Sequence, residues 1–368
     1  MICAALLLLA TAPAKPYGLT VTHGVLMKDG VPFHGIGVNY FNAFARTLAD
    51  PKDTSYEEGF RQLQKLNIPF ARFMCCGFWP SDMRLYQTDR AEYFRRMDRV
   101  IRSAERHHVG LIASLFWNLS TVPDLVGDTC DQWGNPHSKT RAFMHTYVRE
   151  VVTRYLHSPA IWGWEFGNEY NLAADLPNAA EHRPPVAPQF GTPTTRSTRD
   201  EITHQVFRSA LADFARQVRR YDHHRILISG NAFPRPSAWH QMHEHSWTMD
   251  DAAQRAQMVA EDNPDPINTI CVHAYEDYTR IPEAMAVARK LGKPLFVGEF
   301  GVPGPPTTQS RRTFSQMLQL IREQGVPLAA LWVYDYGPQD DWNVTPWNER
   351  SWQLEEVAAA NKSAPQSP

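Results

Sequence analysis

The chain has 368 residues, 43% of them hydrophobic and 21% charged, which excludes a disordered chain and leaves room for one large domain or two ordinary ones. A formal net charge of −2 with no block of Lys or Arg removes the electrostatic footprint of a nucleic-acid or anionic-membrane binder, so a neutral substrate fits better. The 11 tryptophans suit a ligand with flat apolar faces wherever they fall in loops, and core packing is the alternative use of each.

In chain order, the start "MICAALLLLATAPAKP" carries an apolar run over 4–10 and then Ala12 and Ala14 in an A-x-A arrangement. This reads as a secretory signal peptide cut after Ala14, too short to span a bilayer, and predicts a secreted or periplasmic protein; no basic segment precedes the run. Cys75, Cys76, Cys130 and Cys271 lie beyond the cut with no zinc-site spacing. They read as buried small side chains, with a Cys76–Cys130 disulfide open in an oxidising compartment.

"YGLTVTHGVLMKDGVPFHGIGVNYF" alternates around a Lys28-Asp29-Gly30 turn and predicts a β-hairpin that runs into a buried strand at 33–39. From there a unit repeats, in which a helical period gives way to a short apolar run. "SYEEGFRQLQKL" precedes "IPFARFM", "RAEYFRRMDRVIRSAERH" precedes "VGLIASLFW", and "TRAFMHTYVREVVTRYL" precedes "AIWGWEFGNE". The same alternation leads into "RILISG", "INTICVHAY", "PLFVGEFG" and "PLAALWVYDYG". Eight buried strands separated by amphipathic helices predict an α/β fold, a single (β/α)8 barrel, and no GxGxxG follows the first strand to favour a dinucleotide fold. The expected layout is a leader over 1–14, one catalytic domain over 15–360 with the hairpin on the barrel floor, and a disordered tail over 361–368. Two long irregular loops, 171–199 and 231–248, follow strands and so belong to the face where barrels carry their sites.

The polar residues that end the apolar runs are therefore the candidates: Asn39, Arg72, Trp117, Asn168 with Glu169, Asn231, His273 with Tyr275, Glu299, and Trp332. Two are carboxylates, at the ends of the fourth and seventh strands, across the mouth from one another. A carboxyl facing a shared pocket loses hydration and becomes a general acid, while one surrounded by donors stays ionised and nucleophilic. Held roughly 5 Å apart they hydrolyse a glycosidic bond with retention; a gap of roughly 6.5–9.5 Å admits water and inverts. Glu165, on the same side of its strand as Glu169 but deeper, reads as a buried partner for Arg72 or another donor, while Trp162, Trp164 and Phe166 are expected on the opposite face, against helices.

"WEFGNEYN" and "KPLFVGEFG", with "CVHAY" between them, resemble the clan of retaining glycoside hydrolases that includes family 5, the cellulase and β-mannanase family, and "IWGWEFGNE" is most similar to its mannanase branch. The similarity covers most of the chain after the leader. It implies that Glu169 is the acid/base, Glu299 the nucleophile and Asn168 a ligand of the sugar 2-hydroxyl. Under that reading Tyr275 donates to Glu299, His273 positions Glu169 or the sugar, Arg72 holds the nucleophile ionised, and Trp332 is the floor of the sugar site. No metal or organic cofactor is implied, and the partner is a carbohydrate met by a monomer: β-mannan first, β-glucan second. Two departures bear on the substrate: Trp117 in "LFWNLS" stands where many members carry a His, and Tyr170 stands in place of the usual Pro.

Two rival readings are less well supported by the residues. A metal-dependent barrel hydrolase wants His-x-His at the end of the first strand, where this chain has "GVNYF", and a barrel that binds sugar without cleaving it is disfavoured by the presence of both carboxylates. "MHEHSW", with His243, Glu244 and His245, lacks further ligands at metal-site spacing and reads as a sugar-contacting loop or surface. Asp335, Asp340, Asp341 and Trp342, after the eighth strand, read as outer sugar contacts or as solvated loop.

Overall fold

Two turns shape the N-terminal sheet of the computed structural model, which describes residues 17–363. Strands β1 (Leu19–Thr22), β2 (Val25–Lys28) and β3 (Val31–Pro32) form an antiparallel meander in which Thr22 pairs with Val25 and Lys28 with Val31. The linking pairs, His23-Gly24 and Asp29-Gly30, all have positive φ (50°, 78°, 54° and 85°), the condition for the tight hairpin turn that matches strand twist. The expected hairpin is thus the second half of a three-stranded unit. The leader expected over 1–14 lies outside the described residues.

Eight parallel strands follow: β4 (Gly35–Asn39), β5 (Phe70–Met74), β6 (Gly110–Phe116), β7 (Ile161–Gly167), β8 (Ile226–Ile228), β9 (Ile270–His273), β10 (Leu295–Phe300) and β11 (Leu328–Leu331). Their order is β8-β7-β6-β5-β4-β11-β10-β9, and a parallel bridge from Ile228 to Thr269 brings the two edges together. All eight are buried along their length, as strands with helices outside and a packed barrel inside must be. Helices start where a short polar side chain accepts the first free N–H: Asp89 from Glu92, Ser138 from Arg141, Thr203 from Val206 and Thr307 from Ser310. Asp251 and Gln254 exchange such bonds reciprocally.

The core has two parts. One lies between staves and helices; the other fills the barrel floor with Leu19, Leu26, Phe70, Ile112, Ile226, Phe296 and Leu328, and Phe33 packs against it. Trp162 belongs to this floor, against expectation. Leu111 pairs with Ile161 but the next residue, Ile112, pairs with Gly163, so a bulge at Trp162 breaks the alternation and turns its indole inward onto Phe33, with ring centroids 5.3 Å apart. Trp164 and Phe166 do face the helices, and Trp164 Nε1 donates to Asp222 at 2.8 Å.

Two further expectations change, while the cysteines are buried as expected. The last helix, Trp352–Ser363, runs into the stretch read as a tail, and the Asn361 side chain both accepts from Ile36 N and donates to Ile36 O at 2.8 Å. The segment 231–248 is not wholly irregular, since it contains the helix Ala238–Glu244. Cys76 and Cys130 are buried free thiols, as are Cys75 and Cys271. No helix among the described residues is long and apolar enough to cross a membrane.

Candidate active site

Arg72, on β5, is fully buried at the centre of the barrel mouth. Its Nε donates to both oxygens of Glu165 at 2.8 and 2.9 Å, Nη1 to Glu299 Oε1 at 2.7 Å and to Asn39 Oδ1 at 3.1 Å, and Nη2 to Asn168 Oδ1 at 2.8 Å. A planar guanidinium with five donors is the side chain that can do this. Burial works against its charge, but Glu165 and then Glu299 outweigh it and hold the guanidinium above its ordinary value. Glu165 is raised by its own burial, with Arg72 opposing. Asn39 completes the frame, its Nδ2 donating to Gly298 O at 2.9 Å.

Glu169 sits just past β7, pinned by backbone bonds to both neighbouring staves. Asn168 N donates to Trp117 O at 3.0 Å and Glu169 N to Gly230 O at 2.9 Å. Gly230 is required here: its φ is +77° and a Cβ would stand 1.8 Å from Gly167 O. Glu169 itself is left-handed, φ 55° and ψ 28°, a conformation that non-glycine residues adopt at a cost and that aims its side chain into the mouth. Its carboxyl is 31% exposed, and desolvation raises it above the ordinary carboxyl value, with Arg72 and Arg235 opposing.

His273, at the end of β9, joins the two carboxylates: Nδ1 lies 2.7 Å from Glu169 Oε1 and 3.5 Å from Glu299 Oε2. Burial lowers its pKa to about 3, with Glu299 opposing, so the ring is neutral at any working pH. Tyr275 donates to Glu299 Oε2 at 2.5 Å, and burial followed by that carboxylate raises the phenol above its ordinary value. Each oxygen of Glu299 therefore accepts a strong bond, one from Arg72 and one from Tyr275, which holds the group in one orientation at the mouth. One oxygen of Glu169, one of Glu299 and one ring nitrogen of His273 lie within 4.8 Å of one another.

An aromatic wall closes one side. Trp332 follows β11, its peptide to Val333 is cis, and its ring stacks on Phe41 with centroids 5.5 Å apart; Tyr336 meets Phe41 edge-on at 4.5 Å. Trp117 packs into the same wall. Its ring lies over the Arg72 guanidinium at 4.4 Å and against Phe41 at 5.4 Å, leaving it only 4% exposed. Asn168 is half-buried, and its Nδ2 has no hydrogen-bond partner among the described residues.

The structure brings Arg72, Trp117, Asn168, Glu169, His273, Tyr275, Glu299 and Trp332 to one mouth. It does not bring Asn231 there, whose Nδ2 donates to Asp262 O at 2.7 Å below the rim. His243 lies tilted against Trp239, with ring centroids 4.3 Å apart, and His245 is exposed, so "MHEHSW" forms no ligand cluster. The trio Glu169, His273 and Glu299 is the metal-capable group found among the described residues, and its members also make the bonds to one another, to Arg72 and to Tyr275 given above. Phe41, Tyr336 and Arg235 were not singled out from the sequence. Phe41, two residues past Asn39 in "GVNYF", carried the clearest available signal, an aromatic at a strand exit.

The residues from 37 to 337 match the family model described as Cellulase (glycosyl hydrolase family 5), and the chain belongs to that family. A probable mannan endo-1,4-beta-mannosidase A-2 of Aspergillus terreus is 35% identical over 82 residues, which is 20% of this chain and 20% of that protein, so the chain aligns with about a fifth of that relative's length. Among solved structures, an endo-1,4-beta-mannanase from Rhizomucor miehei superposes with a TM-score of 0.66 at 15% identity, covering 95% of this chain and 100% of that one. An endocellulase from Pyrococcus horikoshii, solved with cellotetraose, gives 0.61 at 14% identity over 95% and 100%. Both show the same barrel.

Proposed function

We propose that this protein is a retaining β-glycoside hydrolase acting on a β-linked polysaccharide or oligosaccharide, β-mannan first and β-glucan second. The observation that carries the reading is the closeness of Glu169 to Glu299, with oxygens within 4.8 Å, nearer the gap of about 5 Å used for double displacement than the roughly 6.5–9.5 Å that admits a water. Relatives that are mannanases support the first substrate, and the endocellulase structure keeps the second in view.

Glu299 attacks the anomeric carbon while Glu169 gives its proton to the departing glycosidic oxygen, so the bond to the leaving sugar breaks as the glycosyl–Glu299 ester forms. Glu169, now ionised, takes a proton from water as that water attacks the same carbon and releases Glu299. Arg72 and Tyr275 hold Glu299 in line, and neutral His273 holds Glu169 without competing for its proton. In this reading Asn168 Nδ2 meets the sugar 2-hydroxyl and Trp332 floors the ring, supported by the Arg72 bond that fixes Asn168 Oδ1 and by the stack of Trp332 on Phe41. Incubation with mannan, cello- and mixed-linkage oligosaccharides, with product mapping and Glu299→Gln as control, tests this. Release of products that the variant does not make supports it; no cleavage of any member of the panel overturns it.

Export as a monomer completes the proposal. The leader pattern over 1–14 supports export, and N-terminal sequencing of protein recovered from outside the cell, expected to begin at Lys15, checks it.

A further inference from the structure

The loop after β11, residues 335–343, sends Tyr336 into the aromatic wall, and the remainder of it has no part in the chemistry above. Its base is closed by Val344 N donating to Val333 O at 2.8 Å and Val333 N donating to Trp342 O at 3.3 Å. Inside it, Trp342 N and Asn343 N both donate to Gln339 O at 2.8 Å, and Tyr336 N donates to Asn343 Oδ1 at 2.8 Å. Gly304 N, from the loop after β10, donates to Asp341 O at 2.8 Å and ties the far side down. Gln339 and Trp342 are therefore fixed relative to each other by backbone bonds.

Both send a side chain toward the site. Gln339 Oε1 accepts from Trp332 Nε1 at 2.8 Å, and the Trp342 ring meets the Tyr275 ring edge-to-face, with centroids 5.2 Å apart and planes at 76°. Trp332 is the floor of the sugar site in the proposed function, and Tyr275 is the residue whose hydroxyl holds Glu299. We propose that this loop is a two-armed positioning device, in which Gln339 sets the tilt of the Trp332 indole and Trp342 sets the Tyr275 phenol, so that one segment registers the sugar floor against the nucleophile.

The physical case is that Trp332 is stacked on Phe41 and Tyr275 is bonded to Glu299, and the loop adds a second, differently directed contact to each. An indole N–H at the rim can satisfy itself with water in many orientations, whereas a protein acceptor on a bonded turn selects one. Gln339 is exposed, so water replaces its bond when it is lost and the effect is on direction rather than on stability. A phenol held on one side only by its own hydrogen bond swings about its ring axis, and an edge-to-face partner limits that swing. Misplacement of a nucleophile or a sugar by a fraction of an ångström is enough to lower rate.

The inference rests on the proposed hydrolase activity, so wild-type turnover on the glycan panel is measured first. Gln339→Leu and Trp342→Ala are each expected to lower kcat/KM roughly three- to tenfold, the former with Tm changed little, and Trp342→Phe to recover most of the loss. The decisive readout is the double-mutant cycle: Gln339→Leu should have no further effect in Trp332→Phe, which lacks the indole N–H, and Trp342→Ala none in Tyr275→Phe. Equal losses in both backgrounds, or none in the single variants, overturn the positioning role and leave the hydrolase reading intact. Absence of wild-type turnover overturns that reading and the loop's role with it.

Discussion

Arg72 and Glu299 form a buried ion pair, Nη1 to Oε1 at 2.7 Å, with side chains 0% and 5% exposed, and the same guanidinium grips Glu165 from its other edge. One cation thus holds two carboxylates at different depths of the barrel, the lower one fully buried and the upper one at the mouth. This explains why a chain with so few polar groups in its strands keeps three charges in one place. Removing the cation leaves two buried anions without compensation.

Arg72→Leu is therefore expected to destabilise the protein by about 3–5 kcal/mol. Arg72→Lys keeps the charge but has no fork to reach Glu165, Glu299 and Asn168 together, so kcat should fall by at least about a hundredfold even where folded protein is recovered. Urea denaturation and steady-state kinetics on the same samples separate the two effects.

The alkaline side of the pH–rate profile should belong to Glu169. Desolvation raises its proton affinity, so it stays protonated above the ordinary carboxyl range and its acid function is lost as pH rises through the folded-state value. Glu169→Gln should remove this limb from kcat/KM with an activated aryl glycoside. His273→Gln should keep it, because the ring, lowered to about 3, is already neutral there.

Stability carries the opposite signature from His273. An unfolded His takes a proton below about 6.5, while the folded ring refuses one until about 3, so its contribution is present above the unfolded value and is lost as pH falls through that window. Glu169 works the other way, favouring the folded state below its unfolded value and losing that contribution as pH rises through the raised one. His273→Gln should flatten the acid-side fall of Tm between pH 6.5 and 3, measured by thermal denaturation across pH.

The barrel floor can be perturbed without touching the mouth. A Cβ on Gly110 would come within 2.0 Å of the Trp162 ring, so Gly110→Ala should cost about 1–3 kcal/mol in chemical denaturation. Activity per folded molecule should be unchanged, since the substitution lies at the opposite end of the strands from Glu169. A loss of kcat at full folding would show that the floor and the site are coupled.

Much of this was legible in the sequence because barrel strands are buried on both faces. Runs such as "IPFARFM" and "PLFVGEFG" are marked out by unbroken apolarity, and a charge that interrupts them, Arg72 or Glu299, can only face the shared interior. Glu165 was readable as a partner of Arg72 by strand parity. The same parity failed for Trp162, because a bulge is a local backbone feature with no residue signature in "AIWGWEF". The Phe41, Trp117 and Trp332 stack also escaped, since it is assembled from the exits of the first, third and eighth barrel strands and no spacing along the chain announces it. The His23-Gly24 turn and the short helix Ala238–Glu244 were hidden by context, the one behind a stronger neighbouring turn, the other among prolines. Asn361 shows a third kind of miss: a polar residue in a polar tail becomes structural only because β4 offers it an unpaired N–H and C=O at Ile36.

The central claim is that Glu299 forms a bond to the sugar, and the most direct measurement is proton NMR of the anomeric signal during the first minutes of hydrolysis of a β-linked manno- or cello-oligosaccharide. Double displacement across oxygens within 4.8 Å gives the β-anomer first, with the α-form growing only as mutarotation proceeds. An initial α-anomer would mean that water, not Glu299, attacks the anomeric carbon.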